Sequence, residues 1–230
     1  MRLGKAMAER LRAEGWRVIT SSHRADAGAD VVADLAEPLG AVKLYAATLQ
    51  MLGGTPPDAL VNNAALFTGD PAAIAAVNFA APKKLTMLMA GREKGVGAVV
   101  NILDSATVGS LESVGSLGSV GSLGVSLLDP KDSKDPKDPK DPKRPYLDSK
   151  RELAAFTRSS AATFAATLRV NGVAPGPVLA PTEVHAKAGE MLLDRRPTPN
   201  DIAAAVSYLL SAEATTGAII PVDAGQHLLR

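Results

Sequence analysis

Tyr146 and Lys150, in the run YLDSK at 146–150, stand four residues apart. That spacing brings two side chains onto one face of a helix. A tyrosine hydroxyl, with an ordinary pKa of about 10, donates a proton poorly near neutrality. A cation beside it stabilises the phenolate and makes the donor usable. The same pair also reads as an ordinary solvated helix start, because Tyr-x-x-x-Lys arises often by chance. Directly before it lies KDPKDPKDPKR at 134–144, a repeat that no packed core selects.

The elements that must position this pair follow from periodicity. LGKAMAERLRAE at 3–14 places Leu3, Ala6, Met7 and Leu11 at helical spacing, and Gly15 is a natural stop. WRVIT at 16–20 then reads as a short strand. DALVNNA at 58–64 and GAVVNILD at 97–104 are apolar runs bounded by Gly, Pro or Asp, as in buried parallel strands. The Ala-rich stretch between them predicts a helix in which Pro82 marks a boundary or kink. RELAAFTRSSAATFAATL, after Lys150, predicts another helix, and RVNGVAPG a strand and loop. PNDIAAAVSYLLSAEA predicts a helix capped by Asn200 or Asp201, and GAIIPVDAG a last strand. Strand and helix alternate, so the expected fold class is α/β with a doubly wound sheet.

Residues 109–145 break this order with a Gly-Ser-Leu/Val repeat followed by the Asp-Pro-Lys repeat. Proline at every third position forbids helix and central strand, so a disordered, low-complexity insertion within one domain spanning 1–230 is expected. A docking tail is the alternative.

Composition narrows the function classes. The chain has 230 residues, 46% hydrophobic and 21% charged, which is enough to bury a core; with 3% aromatics, that core must be aliphatic. A net charge of +1 offers no electrostatic case for nucleic acid or an anionic membrane. Without cysteine, thiolate catalysis, disulfides and Cys-type zinc sites are excluded. His23, His185 and His227 lack metal-ligand spacing, so no metal is expected. No apolar run reaches a membrane span and no signal peptide precedes MRLGKAMAER, which makes a cytoplasmic protein the expectation.

VNNAALF (61–67), VVNILD (99–104), YLDSK (146–150) and VNGVAPGPV (170–178) occur in the order found in the short-chain dehydrogenase/reductases, and the chain resembles that family along almost its whole length outside the insertion. The resemblance implies a Rossmann-like doubly wound parallel sheet and reduction of C=O or C=N by a nicotinamide hydride. Tyr146 is then the proton donor, and Lys150 lowers its pKa and holds the nicotinamide ribose. Asn78, in AVNFAAP, matches the asparagine supporting a proton-relay water. The position usually held by serine is Asp104, followed by Ser105. An aspartate there resembles pteridine reductases, in which it works with the tyrosine on the pterin. Phe67 matches the residue that stacks on the pterin ring. Alternatively Asp104 caps the following loop, Ser105 takes the serine role and Phe67 is plain core.

His23 and Arg24, at the end of the second strand of that family, match the region that meets the adenosine 2′-phosphate. Arginine there suits a phosphate, whereas an acidic residue suits the ribose hydroxyls of NAD, so NADPH is the expected cofactor. Asp34 and Leu35 match the pair at the adenine. Asn63 and Ala64 match the cofactor cleft, and Pro175 and Gly176 flank the nicotinamide. A small-molecule substrate and a homo-oligomer are implied.

The family opens with an apolar strand and a Gly-rich turn, of which this sequence holds only Met1-Arg2-Leu3-Gly4. The first strand and turn are therefore expected to be missing, leaving a vacant central position with unpaired neighbours. Either the protein starts upstream of Met1, in which case Arg2 and Gly4 contact the cofactor, or it is a truncated, inactive relative acting as a binding or oligomerisation module. Asp104 and Tyr146 are 42 positions apart; closing that loop instead of one of roughly 13 residues costs about 1 kcal/mol, which a domain tolerates. Within the enzyme reading, a 3-oxoacyl or small-ketone reductase is the alternative.

Overall fold

The computed structural model of the chain describes residues 3–108, 141–178 and 191–229. Parallel strands alternate with helices: α1 Leu3–Ala13, β1 Ser21–Ser22, β2 Val31–Val32, α2 Gly40–Met51, β3 Ala59–Asn62, α3 Pro71–Ala75, α4 Ala81–Ala90, β4 Gly97–Ile102, α5 Arg144–Thr163, β5 Leu168–Pro175, α6 Pro199–Ser211 and β6 Ile219–Val222.

β4 shows why the sheet is covered on both faces. All six of its residues are buried. Ala98, Val100 and Ile102 pack with Met7 and Leu11 of α1 and with Ile202, Val206 and Leu209 of α6. Val99, alternating to the other face, packs with Met89 of α4 and Ala161 of α5, and Leu103 just beyond the strand meets Leu153 and Ala154 of α5. A strand buried on both faces reads as an unbroken apolar run, which is how GAVVNI reads apart from Asn101.

The strands form two pieces, β1–β2 and β3–β4–β5–β6, parallel throughout. The division falls between β1 and β3, in agreement with the expected vacant central position. It also corrects the reading of WRVIT as a strand. Only its end joins a ladder, where the Val31 amide donates to the Thr20 carbonyl at 3.0 Å. Trp16 and Val18 instead pack their side chains against the α1–α6 core. Without a neighbour to accept its hydrogen bonds, an extended segment forms no ladder.

Two boundaries differ from expectation. Helix α6 is capped by Thr198, whose hydroxyl accepts from the Asp201 amide while the Asp201 carboxylate accepts from the Thr198 amide; neither Asn200 nor Asp201 is the cap. Pro199 at the first helical position, with no N–H to satisfy, moves the cap one residue ahead of it. Pro82 does mark a boundary, as expected: it stands in the first turn of α4, directly after a π-helical turn at Ala76–Ala80 that joins α3 to α4. Helix α5 begins at Arg144, so Arg144 and Pro145 belong to it and not to the insertion; residues 109–140 lie outside the described residues. Among the described residues no helix is long and apolar enough to cross a membrane.

Candidate active site

Every described candidate except Gly4, Phe67, Asn78 and the α5 pair lies at the carboxyl end of a strand or within three residues of it. His23 and Arg24 follow β1, Asp34 and Leu35 follow β2, Asn63 and Ala64 follow β3, Asp104 and Ser105 follow β4, and Pro175 and Gly176 end β5. Since the strands of each piece are parallel, these positions lie at the carboxyl edge of their own piece, the edge at which open α/β sheets bind ligands. Gly4, in the first turn of α1, joins them: a Cβ there would stand 2.9 Å from Asn63 Nδ2, so glycine permits the approach. Arg2 lies outside the described residues.

Tyr146 and Asp104 meet across this edge. The Tyr146 hydroxyl donates to Asp104 Oδ2 at 2.8 Å. Asp104 Oδ1 accepts from the Ala106 amide at 2.8 Å and so caps the short 3₁₀ turn Ser105–Thr107. Loop cap and tyrosine partner are thus both true of Asp104, one oxygen for each. Ser105 opens that turn and is buried. Phe67 is 62% exposed, which rules out plain core, and its ring stacks on Tyr146 with centroids 4.7 Å apart.

Lys150 lies one turn along α5 from Tyr146, 2% exposed, with Nζ donating to the Ile102 carbonyl at 2.8 Å and 5.9 Å from the Tyr146 ring centroid. Burial pulls its pKa down from 10.5 to about 8, opposed by the negative charge of Asp104. The expected lowering of the Tyr146 pKa by Lys150 is not found: burial pushes the hydroxyl well above its ordinary value, and the charge and hydrogen bond of Asp104 push the same way.

Asn78, fully buried in the π-helical turn, accepts from the Leu66 amide at 2.8 Å and donates to the Leu66 carbonyl at 2.9 Å and to Ser149 Oγ at 3.1 Å. It therefore pins the segment carrying Phe67 to helix α5 beside Lys150. Arg24 is exposed and paired with Asp26, Nε to Oδ1 at 2.9 Å; that bond raises the guanidinium pKa and lowers that of the carboxylate. His23 is exposed. Asp34 Oδ1 accepts from the Ala36 amide at 2.9 Å, and Leu35 packs on Ala41, Ala81 and Leu85. Ala64 is exposed and Asn63 half-buried. Pro175 pairs with Val222 across β5–β6, and a Cβ on Gly176 would come within 2.6 Å of Asp223.

Some polar residues near the edge escaped sequence reasoning. Asp223, 2% exposed after β6, accepts from the Gly225 and His227 amides and faces His227 Nδ1 at 2.9 Å. Asn101 links Asn62 to Thr157 in the core. The available signal was a polar letter inside or ending an apolar strand.

Known proteins place this geometry. Residues 140–227 match the family model described as enoyl-(acyl carrier protein) reductase. A short-chain dehydrogenase/reductase homolog of Bacillus subtilis (strain 168) is 36% identical over 90 residues, covering 36% of this chain and 70% of that protein. A Streptomyces violaceoruber protein named as ketoacyl reductase 2 of the granaticin polyketide synthase is 30% identical, spanning 99% of this chain and 92% of its own length. Among solved structures, FolM alternative dihydrofolate reductase 1 from Brucella canis, complexed with NADP, superposes with a TM-score of 0.75 at 27% identity, covering 99% of this chain and 91% of that one. A 3-alpha-hydroxysteroid dehydrogenase from Pseudomonas sp. B-0831 shares the fold, with a TM-score of 0.73, 23% identity, and coverage of 99% and 93%. The strand-end constellation and these full-length likenesses agree: the chain belongs to the short-chain dehydrogenase/reductase family.

Proposed function

We propose that this short-chain oxidoreductase is an NADPH-dependent reductase that sends hydride to a pteridine-like C=N bond, with Tyr146 as the proton donor. The observation that carries the reading is the 2.8 Å hydrogen bond from Tyr146 to Asp104, with Phe67 stacked on the tyrosine ring. A ketone needs one proton donor at its oxygen. A ring nitrogen within a heterocycle rich in donors and acceptors makes use of a carboxyl group as well.

The carboxyl-edge residues fit a nicotinamide dinucleotide by position and chemistry. Arg24 would take the 2′-phosphate beside His23, Asp34 and Leu35 the adenine, Asn63 and Ala64 the middle of the cleft, and Pro175, Gly176 and Lys150 the nicotinamide half; Gly4 leaves room for close backbone approach. The NADP in the FolM structures supports this choice. When bound, the nicotinamide supplies the hydride.

The protein's own groups then handle the proton. At rest the Tyr146 hydroxyl donates to Asp104, and a substrate nitrogen that approaches the pair takes that proton in its place. The positive charge on Lys150 stabilises the phenolate left behind. Phe67 offers a flat, exposed face on which a bicyclic ring can stack. Thr68, next to Phe67 in sequence, lines a cavity of about 520 Å³ with Pro71, Asp141, Arg144 and Asp148, none of them a proposed catalytic group.

A second reading, reduction of a 3-oxoacyl or small-ketone substrate, is favoured by the full-length likeness to the protein named as a ketoacyl reductase. A homo-oligomer belongs to both readings and rests on the family resemblance alone; a cytoplasmic location belongs to both and rests on the sequence expectation. The test is NADPH consumption against a substrate panel. Turnover with a dihydropteridine or dihydrofolate is expected. Turnover with 3-oxoacyl thioesters or small ketones alone selects the second reading. No turnover and no NADPH binding would leave the non-catalytic module.

A further inference from the structure

We propose that Asn101 and Thr157 are positioning residues that set the rotation and axial register of helix α5, and so aim Tyr146 and Lys150. The inference rests on the proposed reductase reading for its kinetic readout, not for its geometry.

Tyr146, Lys150, Leu153 and Thr157 fall at intervals of four, three and four residues, a single stripe along one helix face. All four are buried, none more than 8% exposed. The stripe faces the side of β4 that carries Val99, Asn101 and Leu103. Asn101 is fully buried, the one polar side chain in a strand of six buried residues. Its amide links three elements in a directional chain. Asn62 Nδ2 of β3 donates to Asn101 Oδ1 at 2.8 Å, and Asn101 Nδ2 donates to Thr157 Oγ1 at 2.9 Å. The Thr157 hydroxyl donates in turn to the Leu153 carbonyl at 2.7 Å.

A second tie runs between the same two elements from the same stripe: Lys150 Nζ to the Ile102 carbonyl, at 2.8 Å. The ties sit seven residues apart on α5, roughly 10 Å along its axis. Two directional bonds at that separation fix both how far the helix has turned and how far it has slid. Leu153, packed between them, is apolar, and apolar contact is non-directional. A rotation of about 10° would move the end of a tyrosine side chain by roughly 1 Å, a misplacement that can cost about 100-fold in rate. Core packing alone does not call for these groups, since valine would fill the volume of Thr157 and a buried amide is costly unless fully bonded. What the polar chain adds is a unique register for the helix that carries the proton donor.

The test compares Thr157→Val, which keeps shape and loses the hydroxyl, with Thr157→Ser, which keeps the hydroxyl, in the full chain. Thr157→Val should lower kcat by about tenfold or more while leaving the KM for NADPH within about twofold, and Thr157→Ser should restore kcat. Unchanged kcat in Thr157→Val, or equal losses in both variants, would overturn the proposal. Should Thr157→Val fail to fold, Asn62→Leu/Asn101→Leu/Thr157→Val removes the whole chain and leaves no orphaned amide at position 62 or 101. A folded triple variant with reduced kcat supports positioning; wild-type kcat refutes it. If the unaltered protein reduces nothing in the panel, the reductase reading fails, and the anchor is read instead by NMR titration of Lys150 Nζ. That midpoint should rise from about 8 toward its ordinary value in Thr157→Val and stay in Thr157→Ser; no movement overturns the anchor.

Discussion

Asp104 carries two bonds with two oxygens, and that division allows its roles to be separated. Asp104→Asn keeps an acceptor for the Ala106 amide but removes the charge that raises the Tyr146 pKa. Asp104→Ser removes both and restores the residue more usual at this position in the family. Dihydropteridine turnover should fall by about 100-fold in each, whereas reduction of small ketones should survive in the serine variant; a parallel loss on both substrate classes would contradict the assignment. Lys150 sets the pH limit. Its charge supports the phenolate below about 8 and is lost above it, so kcat should decline as pH rises through about 8, and a flat profile to pH 10 would count against it. Stability moves the other way: between about 8 and 10.5 the unfolded chain binds a proton that the folded chain has released, so the contribution of Lys150 to stability rises with pH across that window. Tyr146, Lys150, Asp104 and Phe67 were legible in the sequence because each stands in a short local pattern. Thr157 was not, since its partner Asn101 lies 56 residues away and neither letter signals the pairing.

The elements follow the apolar patterning where both faces are buried, and depart from it where polar chemistry decides. Strand β4 and helix α5 were readable from unbroken or helically spaced apolar residues. The α6 cap was misplaced because the capping box is a reciprocal bond whose first member, Thr198, stands ahead of a proline. The π-helical turn at Ala76–Ala80 leaves no signature other than Pro82, yet it presents Asn78 to the backbone of Leu66. Asn78→Ala should therefore cost about 2 kcal/mol or more, by orphaning the Leu66 amide and carbonyl, and should lower kcat through release of Phe67; wild-type stability in thermal melts would refute the tie. The turn after β1 carries its own competitor. Asp26 occupies the guanidinium of Arg24, so Asp26→Asn should tighten NADPH a few-fold while leaving NADH unchanged, as measured by fluorescence titration. An equal change for both cofactors would remove Arg24 from the 2′-phosphate site.

For the molecule as a whole, the parallel sheet in two pieces is the feature on which cofactor binding bears most. The doubly wound α/β class was inferable from the alternation of strand and helix, and the division from the missing opening strand, whereas the strand order depends on which backbone edges find partners, a property no single segment records. The carboxyl edges of the two pieces together hold residues from β1, β2, β3, β4 and β5. A dinucleotide spanning both edges would couple the pieces and stabilise the fold. At about a hundredfold excess over Kd, NADPH should contribute about 2.7 kcal/mol and raise the Tm by about 5–10 °C. An unshifted melt would mean that the two pieces do not form one cofactor cleft. Proton delivery by Tyr146 is tested by Tyr146→Phe assayed for NADPH oxidation with a dihydropteridine. The variant should retain NADPH binding with kcat reduced by about 100-fold or more. Wild-type turnover in that variant would contradict it.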